Sequence, residues 1–169
     1  MGCSSLSGTG DKGYISGEGV PTEVEAAERG DPVDLAGTDL EGNDVDLAEM
    51  RGKPVVVSVW ASWCPPCIAE QPDLNEAAEQ LGSDVQFVGL NICDASREDA
   101  TAFTRTLDVA YPSIYSSDGA ALLSFAGTLG PRSIPSTVVL DAEGRIAASV
   151  QGRIPSVLTL VDLVEGVGK

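Results

Sequence analysis

Histidine is absent from this 169-residue chain. That absence removes Cys–His and Ser–His–Asp nucleophilic catalysis, histidine-ligated zinc and histidine-ligated haem. Basic residues are few: ten Lys and Arg stand against 26 Asp and Glu, a net charge of −16. Nucleic acid, whose phosphates demand a basic face, is not an expected partner. Electrostatic attachment to anionic lipid is disfavoured for the same reason. The acidic surface is read as solubilising. No apolar run approaches the roughly 18–20 residues a membrane-spanning helix needs. The longest runs, such as 54–61 and 137–140, have the length of strands. Cysteine is scarce too, and four residues are too few to staple a chain of this length as a disulfide mini-protein. What is present, 43% hydrophobic residues, suffices for one domain with a proper core and a tail.

The cysteines are Cys3, Cys64, Cys67 and Cys93. Two of them close the stretch "WASWCPPC", residues 60–67. A zinc site would want a second close pair, which Cys3 and Cys93 do not form, and a c-type haem would want histidine where Ile68 stands. No metal or cofactor is expected. A purely structural Cys64–Cys67 disulfide would close a four-residue loop, which gains little chain entropy. The pair therefore reads as a redox centre.

Its setting supports that reading. The apolar run at 54–61 suits a central strand buried on both faces. Pro65 and Pro66 fit the first turn of a helix, where their missing N–H groups cost little. A cysteine at that point faces unpaired backbone N–H groups and the positive helix end, which favour thiolate over thiol. Cys64 is thus the expected nucleophile, and Cys67, one turn on, the expected resolving thiol. The cycle runs either way: a thiolate reduces a substrate disulfide, or the disulfide oxidises a dithiol. Trp60 suits core packing; Trp63 either covers the sulfur or meets substrate.

Along the chain, residues 1–29 are rich in Gly and Ser near the start and read as a flexible tether, with a folded domain from 30 to 169. The "GCSS" at the start looks like a lipoprotein junction, with Cys3 the lipid-bearing residue and Met1 standing where a signal region would precede it. The alternative is that Cys3 is incidental. N-myristoylation would want Ser or Thr at position 6, where Leu6 stands. A β-hairpin is expected around the turn at Glu41–Asp44, then a short capped turn from Leu47 to Met50. After the 54–61 strand come a helix with Ile68, Leu74, Ala77, Ala78 and Leu81 inward and a kink at Pro72, a buried strand at 85–92, and a helix at 97–107. A short strand near 111–116, a short helix at 120–126, a hairpin from 137 to 150 and a helix at 155–167 complete the chain. The order gives one α/β domain with a mixed sheet flanked by helices.

"VVVSVWASWCPPC", "VGLNICD", "IPSTVVLDAEGRI", the hairpin and the Met50–Lys53 turn together resemble the TlpA/ResA-like thiol–disulfide oxidoreductases of the thioredoxin superfamily, over residues 30–169. The resemblance implies a thioredoxin-like fold with an added N-terminal hairpin and a helix–strand insertion near 97–116. It implies a monomeric, exported or lipid-anchored enzyme on the outer face of the cell membrane. Its partners would be protein disulfides or dithiols, with a membrane thiol donor of CcdA/DsbD type, and some members serve cytochrome c maturation. Ile134–Pro135 would be the cis-proline loop facing the disulfide, its Ile134 backbone pairing with substrate beside Trp63, Pro65 and Pro66. Thioredoxins carry a buried Asp six residues before the first active cysteine; here that position is Ser58. Glu70 matches an active-site carboxylate of ResA-like members, or is an exposed helix residue. Cys93 has no counterpart there, and is either a buried inert thiol or a third redox participant.

Three functions from different classes stay in view. They are a thiol–disulfide oxidoreductase (reductase or oxidant), a thiol peroxidase, and a binding lipoprotein with a merely stabilising disulfide. The peroxidase would want Thr or Ser three residues before the reactive cysteine, where Ala61 stands.

Overall fold

The apolar run at 54–61 becomes the middle of a six-stranded sheet. In chain order the elements are β1 (Pro21–Glu23), β2 (Ala36–Thr38), β3 (Asp44–Asp46), β4 (Val55–Trp60), α1 (Pro65–Leu81), β5 (Gln86–Ile92), α2 (Arg97–Thr106), β6 (Ser113–Ser116), β7 (Ser136–Leu140), β8 (Ile146–Gln151) and α3 (Val157–Gly166). They come from a computed structural model that describes residues 13–168. The sheet order is β1-β8-β7-β4-β5-β6, with β2 and β3 paired as a separate hairpin. β4 runs parallel to β5 and antiparallel to β7, and β5 runs parallel to β6.

Both faces of β4 are covered, which is why its sequence does not alternate. Val55, Val57 and Val59 belong to a core shared with Leu35, Val45, Phe103 and Phe125 on the hairpin and α2 side. Val56 packs instead with Leu74, Ala77, Leu160 and Val164 of α1 and α3. Trp60 ends the strand buried, stacked on Phe103 at 4.3 Å between centroids, its indole N–H donating to Ser113 Oγ at 3.1 Å. At about 25 cal/mol per Å² of apolar surface removed from water, such two-sided burial dominates the stability of the domain.

The structure moves the expected domain boundary. Pro21–Glu23, assigned to the tether by its composition, pairs antiparallel with β8 in the register Pro21↔Val150, Thr22↔Ser149, Glu23↔Ala148. Arg29 then ties the segment down. Its Nη1 meets Asp141 Oδ2 at 3.1 Å and also donates to the Val167 carbonyl. Both partners of that ion pair are buried. Burial alone would raise the Asp141 carboxyl, but hydrogen bonds from the Arg145 backbone and the Arg29 and Arg145 side chains hold it below its ordinary value. A segment held by backbone pairing and one ion pair carries no hydrophobic period, so pattern reading passes over it. Residues 1–12, including Cys3, lie outside the described residues.

α1 runs through Pro72 without a break, and α3 begins at Val157 because Ser156 caps it, Oγ accepting from Thr159 N–H. Among the described residues no helix is long and apolar enough to cross a membrane.

Candidate active site

The C-terminal ends of the parallel strands β4 and β5 point to one edge of the sheet, and the chain turns there from strand to helix twice. The first turn, 61–64, carries Cys64 to the N-cap of α1. Its Sγ accepts from the Cys67 N–H at 3.3 Å, and Pro65 and Pro66 follow as the first helical residues. Cys64 and Cys67 are joined by a disulfide with Cα atoms 5.2 Å apart. On reduction, the Cys64 sulfur sits at a helix end with backbone N–H groups aimed at it, the setting that stabilises a thiolate. Cys64 is 0% exposed. Around it Trp63 and Ile68 are each 43% exposed, so the sulfur lies beneath an apolar rim.

That exposure corrects the expected inward face of α1. Ile68 faces out, and the buried positions of the first two turns are Cys67, Glu70 and Gln71. A polar layer replaces the apolar one because it lies behind the sulfurs. Glu70 is 1% exposed, so the alternative of an exposed helix carboxylate falls. Its Oε1 accepts from Ile154 N–H at 2.7 Å. Burial pushes its carboxyl up to about 7, against the opposing pull of the Ile154 N–H and the Arg153 charge. Gln71 donates to Tyr111 Oη at 2.8 Å and to Asn75 Oδ1 at 2.9 Å. Ser58, fully enclosed in β4, brings a neutral hydroxyl to this layer next to Tyr111.

Opposite the first turn lies the segment before β7. The Ile134–Pro135 peptide is cis, and both residues are buried. Because Val59 pairs with Ser136, this dipeptide stands just past the end of β4, level with the 61–64 turn. Cys64, Cys67 and Ile134 share one hydrophobic cluster.

The second strand-to-helix turn follows β5. Cys93 has φ of 60°, the left-handed region, and its carbonyl accepts from the Trp63 indole N–H at 2.9 Å. Its sulfur is in a disulfide and is only half-buried, so the reading of a buried inert thiol does not hold. Asp94, next along, was not singled out from sequence. It is 2% exposed and grips the other turn: Oδ2 accepts from Ser62 N–H at 3.0 Å and from Asn91 Nδ2 at 2.6 Å, and Oδ1 takes the Ser62 hydroxyl. A carboxylate directly after a strand that adjoins the reactive one was the available signal. Among the described residues no group of His, Cys, Asp and Glu could hold a metal ion.

The chain's similarities agree with this geometry. The Redoxin family model matches residues 17–162. A Yersinia pestis protein named thiol:disulfide interchange protein DsbE is 37% identical over 75% of this chain, which spans 65% of that relative's length. A Bacillus thuringiensis thiol-disulfide oxidoreductase ResA is 26% identical, over 85% of this chain and 81% of its own. Among solved structures, a DsbF homologue from Corynebacterium diphtheriae superposes with a TM-score of 0.80 at 28% identity, covering 95% of this chain and 97% of its own. A secreted thiol-disulfide isomerase from Corynebacterium glutamicum gives 0.81 at 27% identity, covering 87% and 90%.

Proposed function

This chain belongs to the Redoxin family, and we propose that it is an extracytoplasmic thiol–disulfide oxidoreductase, working as a reductase of protein disulfides through Cys64 and Cys67. The observation that carries the reading is the sulfur pair itself, closed as a disulfide at the first turn of α1 beside a cis proline. In the reducing direction the Cys64 thiolate attacks one sulfur of a substrate disulfide. The substrate S–S bond breaks, its second sulfur leaves as a thiolate and takes a proton, and a mixed disulfide remains. Cys67 loses its proton and attacks Cys64, which closes the Cys64–Cys67 bond and frees the reduced substrate. Glu70, one helical turn beyond Cys67, is the group to accept that proton. Trp63, Pro65 and Pro66 form the substrate rim, and the Ile134 backbone with Pro135 forms its opposite side.

The pair would be recharged by a membrane thiol donor of CcdA/DsbD type, and cytochrome c maturation is the process this reading favours. The secreted neighbour from Corynebacterium glutamicum supports work outside the cytoplasm. The direction of electron flow is tested by the reduction potential of the Cys64–Cys67 pair, equilibrated against glutathione or dithiothreitol. A reductase is expected well below about −200 mV; a value near about −120 mV, the strong-oxidant end, would overturn it.

Membrane attachment rests on Cys3 alone. Mass mapping of unreduced peptides from the membrane fraction tests it: a thioether-linked diacylglycerol on Cys3 would establish the anchor. The same map reads the partner of Cys93 and its place as a third redox participant. One sulfur cannot carry both bonds, so Cys3 found in a disulfide excludes the anchor.

A further inference from the structure

Residues 13–15 lie along the rim that Trp63 and Ile134 make beside the disulfide. Ile15 donates its backbone N–H to the Ile134 carbonyl at 2.6 Å. Gly13 lies against the Trp63 ring: a Cβ built on it would stand 3.5 Å from the ring's Cη2. Tyr14, between them, packs against the cluster that holds Cys64, Cys67 and Ile134. The next residues are seated on the loop that carries Glu70's partner. Arg153 N–H donates to Gly17 O at 3.1 Å, and Gly19 N–H donates to Arg153 O at 2.8 Å. The backbones meet so closely that a Cβ on Gly19 would fall 2.4 Å from the Gln151 carbonyl, which only glycine permits. β1 then fixes the segment to the sheet edge.

These contacts place residues 13–19 along the Trp63 and Ile134 rim of the disulfide, with one backbone hydrogen bond to the Ile134 carbonyl. From them we infer that residues 13–19 are a resident strap in the position of the substrate peptide, and that a protein substrate reaches Cys64 by displacing it. The inference rests on the redox reading of Cys64 and adds to it the form of the substrate. That substrate is an extended chain segment that pairs by backbone with Ile134 and sets an aromatic or similarly bulky side chain where Tyr14 lies. Cys64 itself is fully enclosed beneath an apolar rim. The strap is light. Its hold on Ile134 is one hydrogen bond, so a substrate with equivalent pairing can compete.

The test uses the oxidised full-length protein and an unstructured peptide bearing two cysteines. One peptide thiolate attacks Cys64, the Cys64–Cys67 bond breaks, and Cys67 leaves and takes a proton. The second peptide thiol loses its proton and attacks the peptide sulfur of the mixed disulfide, so the bond to Cys64 breaks, Cys64 leaves as a thiolate and the peptide's own disulfide closes. Two variants open the strap outside the reacting groups: Ile15→Pro, which deletes the N–H given to Ile134, and Tyr14→Ala. Each is expected to raise the second-order rate of reduction about tenfold, because the fraction of molecules with an open site rises. The reduction potential should not move.

A second measurement does not depend on the variants. Amide exchange at Ile15 is expected to be slow in the oxidised protein, and fast once a peptide is trapped on Cys64 in Cys67→Ser. Rates unchanged in both strap variants, or Ile15 still protected with peptide bound, would overturn the strap. A Cys64–Cys67 bond that no dithiol reduces in any variant would instead sink the redox reading on which it rests.

Discussion

Cys64→Ser is expected to abolish disulfide exchange, lowering the rate of insulin reduction by ~10³-fold or more, while the fold survives. Fold and function separate at this position for a physical reason. Cys64 is the N-cap, its sulfur accepting the Cys67 N–H, and also the proposed nucleophile. Serine keeps the first role, being among the preferred N-cap residues. It cannot keep the second, because a hydroxyl is not measurably ionised near neutral pH and cannot form the mixed disulfide. The lost covalent bond closes a four-residue loop, worth ~2 kcal/mol on the chain-entropy model. Thermal unfolding of Cys64→Ser should therefore match the reduced wild-type protein. Full activity in the variant would mean that the disulfide is a staple and the chain a binding module. Cys67→Ser should retain the first attack and stall as a mixed disulfide, visible as a mass adduct on Cys64.

Glu70→Gln is expected to have the second largest effect, and it should show in pH dependence. Glutamine keeps an acceptor for the Ile154 N–H but cannot take a proton from Cys67. Release of substrate from the mixed disulfide should slow by ~10²-fold. Formation of that adduct, measured in Cys67→Ser, should not change, since Cys67 plays no part in it.

The stability readout has a defined sign. Burial raises the Glu70 carboxyl from 4.5 to about 7, so between those values the folded state holds a proton that the unfolded chain has released. Wild-type stability must then fall as pH rises through this window, by ~3 kcal/mol at most given 1.4 kcal/mol per pH unit. The variant has no such slope. The stability difference, Glu70→Gln minus wild type, should grow from about pH 4.5 to 7 and then level off. A difference that is flat with pH would place the carboxylate in contact with water and remove it as a proton carrier.

Much of this molecule is determined by local sequence. The almost wholly apolar residues at 54–61 suit a strand covered on both sides, and two prolines after a cysteine suit the first turn of a helix. From those two facts the strand–turn–helix carrying Cys64 and Cys67 follows. The absence of histidine settles which chemistries are closed. The same local logic places the Asp46-capped turn at Leu47–Met50, observed at those residues.

Other features belong to the tertiary structure, and each is a contact between residues distant in sequence. Glu70 looks like any helix carboxylate until α1 packs and the loop at Ile154 closes over it; its raised proton affinity comes from that burial. Ile68 carries the apolar period but faces out, because the positions beneath it hold the polar layer. Asp94 gains its meaning only when β5 lies beside β4 and brings it to Ser62. The segment from Gly13 to Glu23 has neither apolar period nor charge pattern, since backbone hydrogen bonds to Ile134, Arg153 and β8 hold it, and backbone groups are alike in every residue. The sequence alone determined which sulfurs pair and on what scaffold. The fold decided what stands behind them, the buried Glu70 proposed as proton carrier, and what lies beside them, the segment proposed as a cover, because both arise from long-range packing that no local pattern encodes.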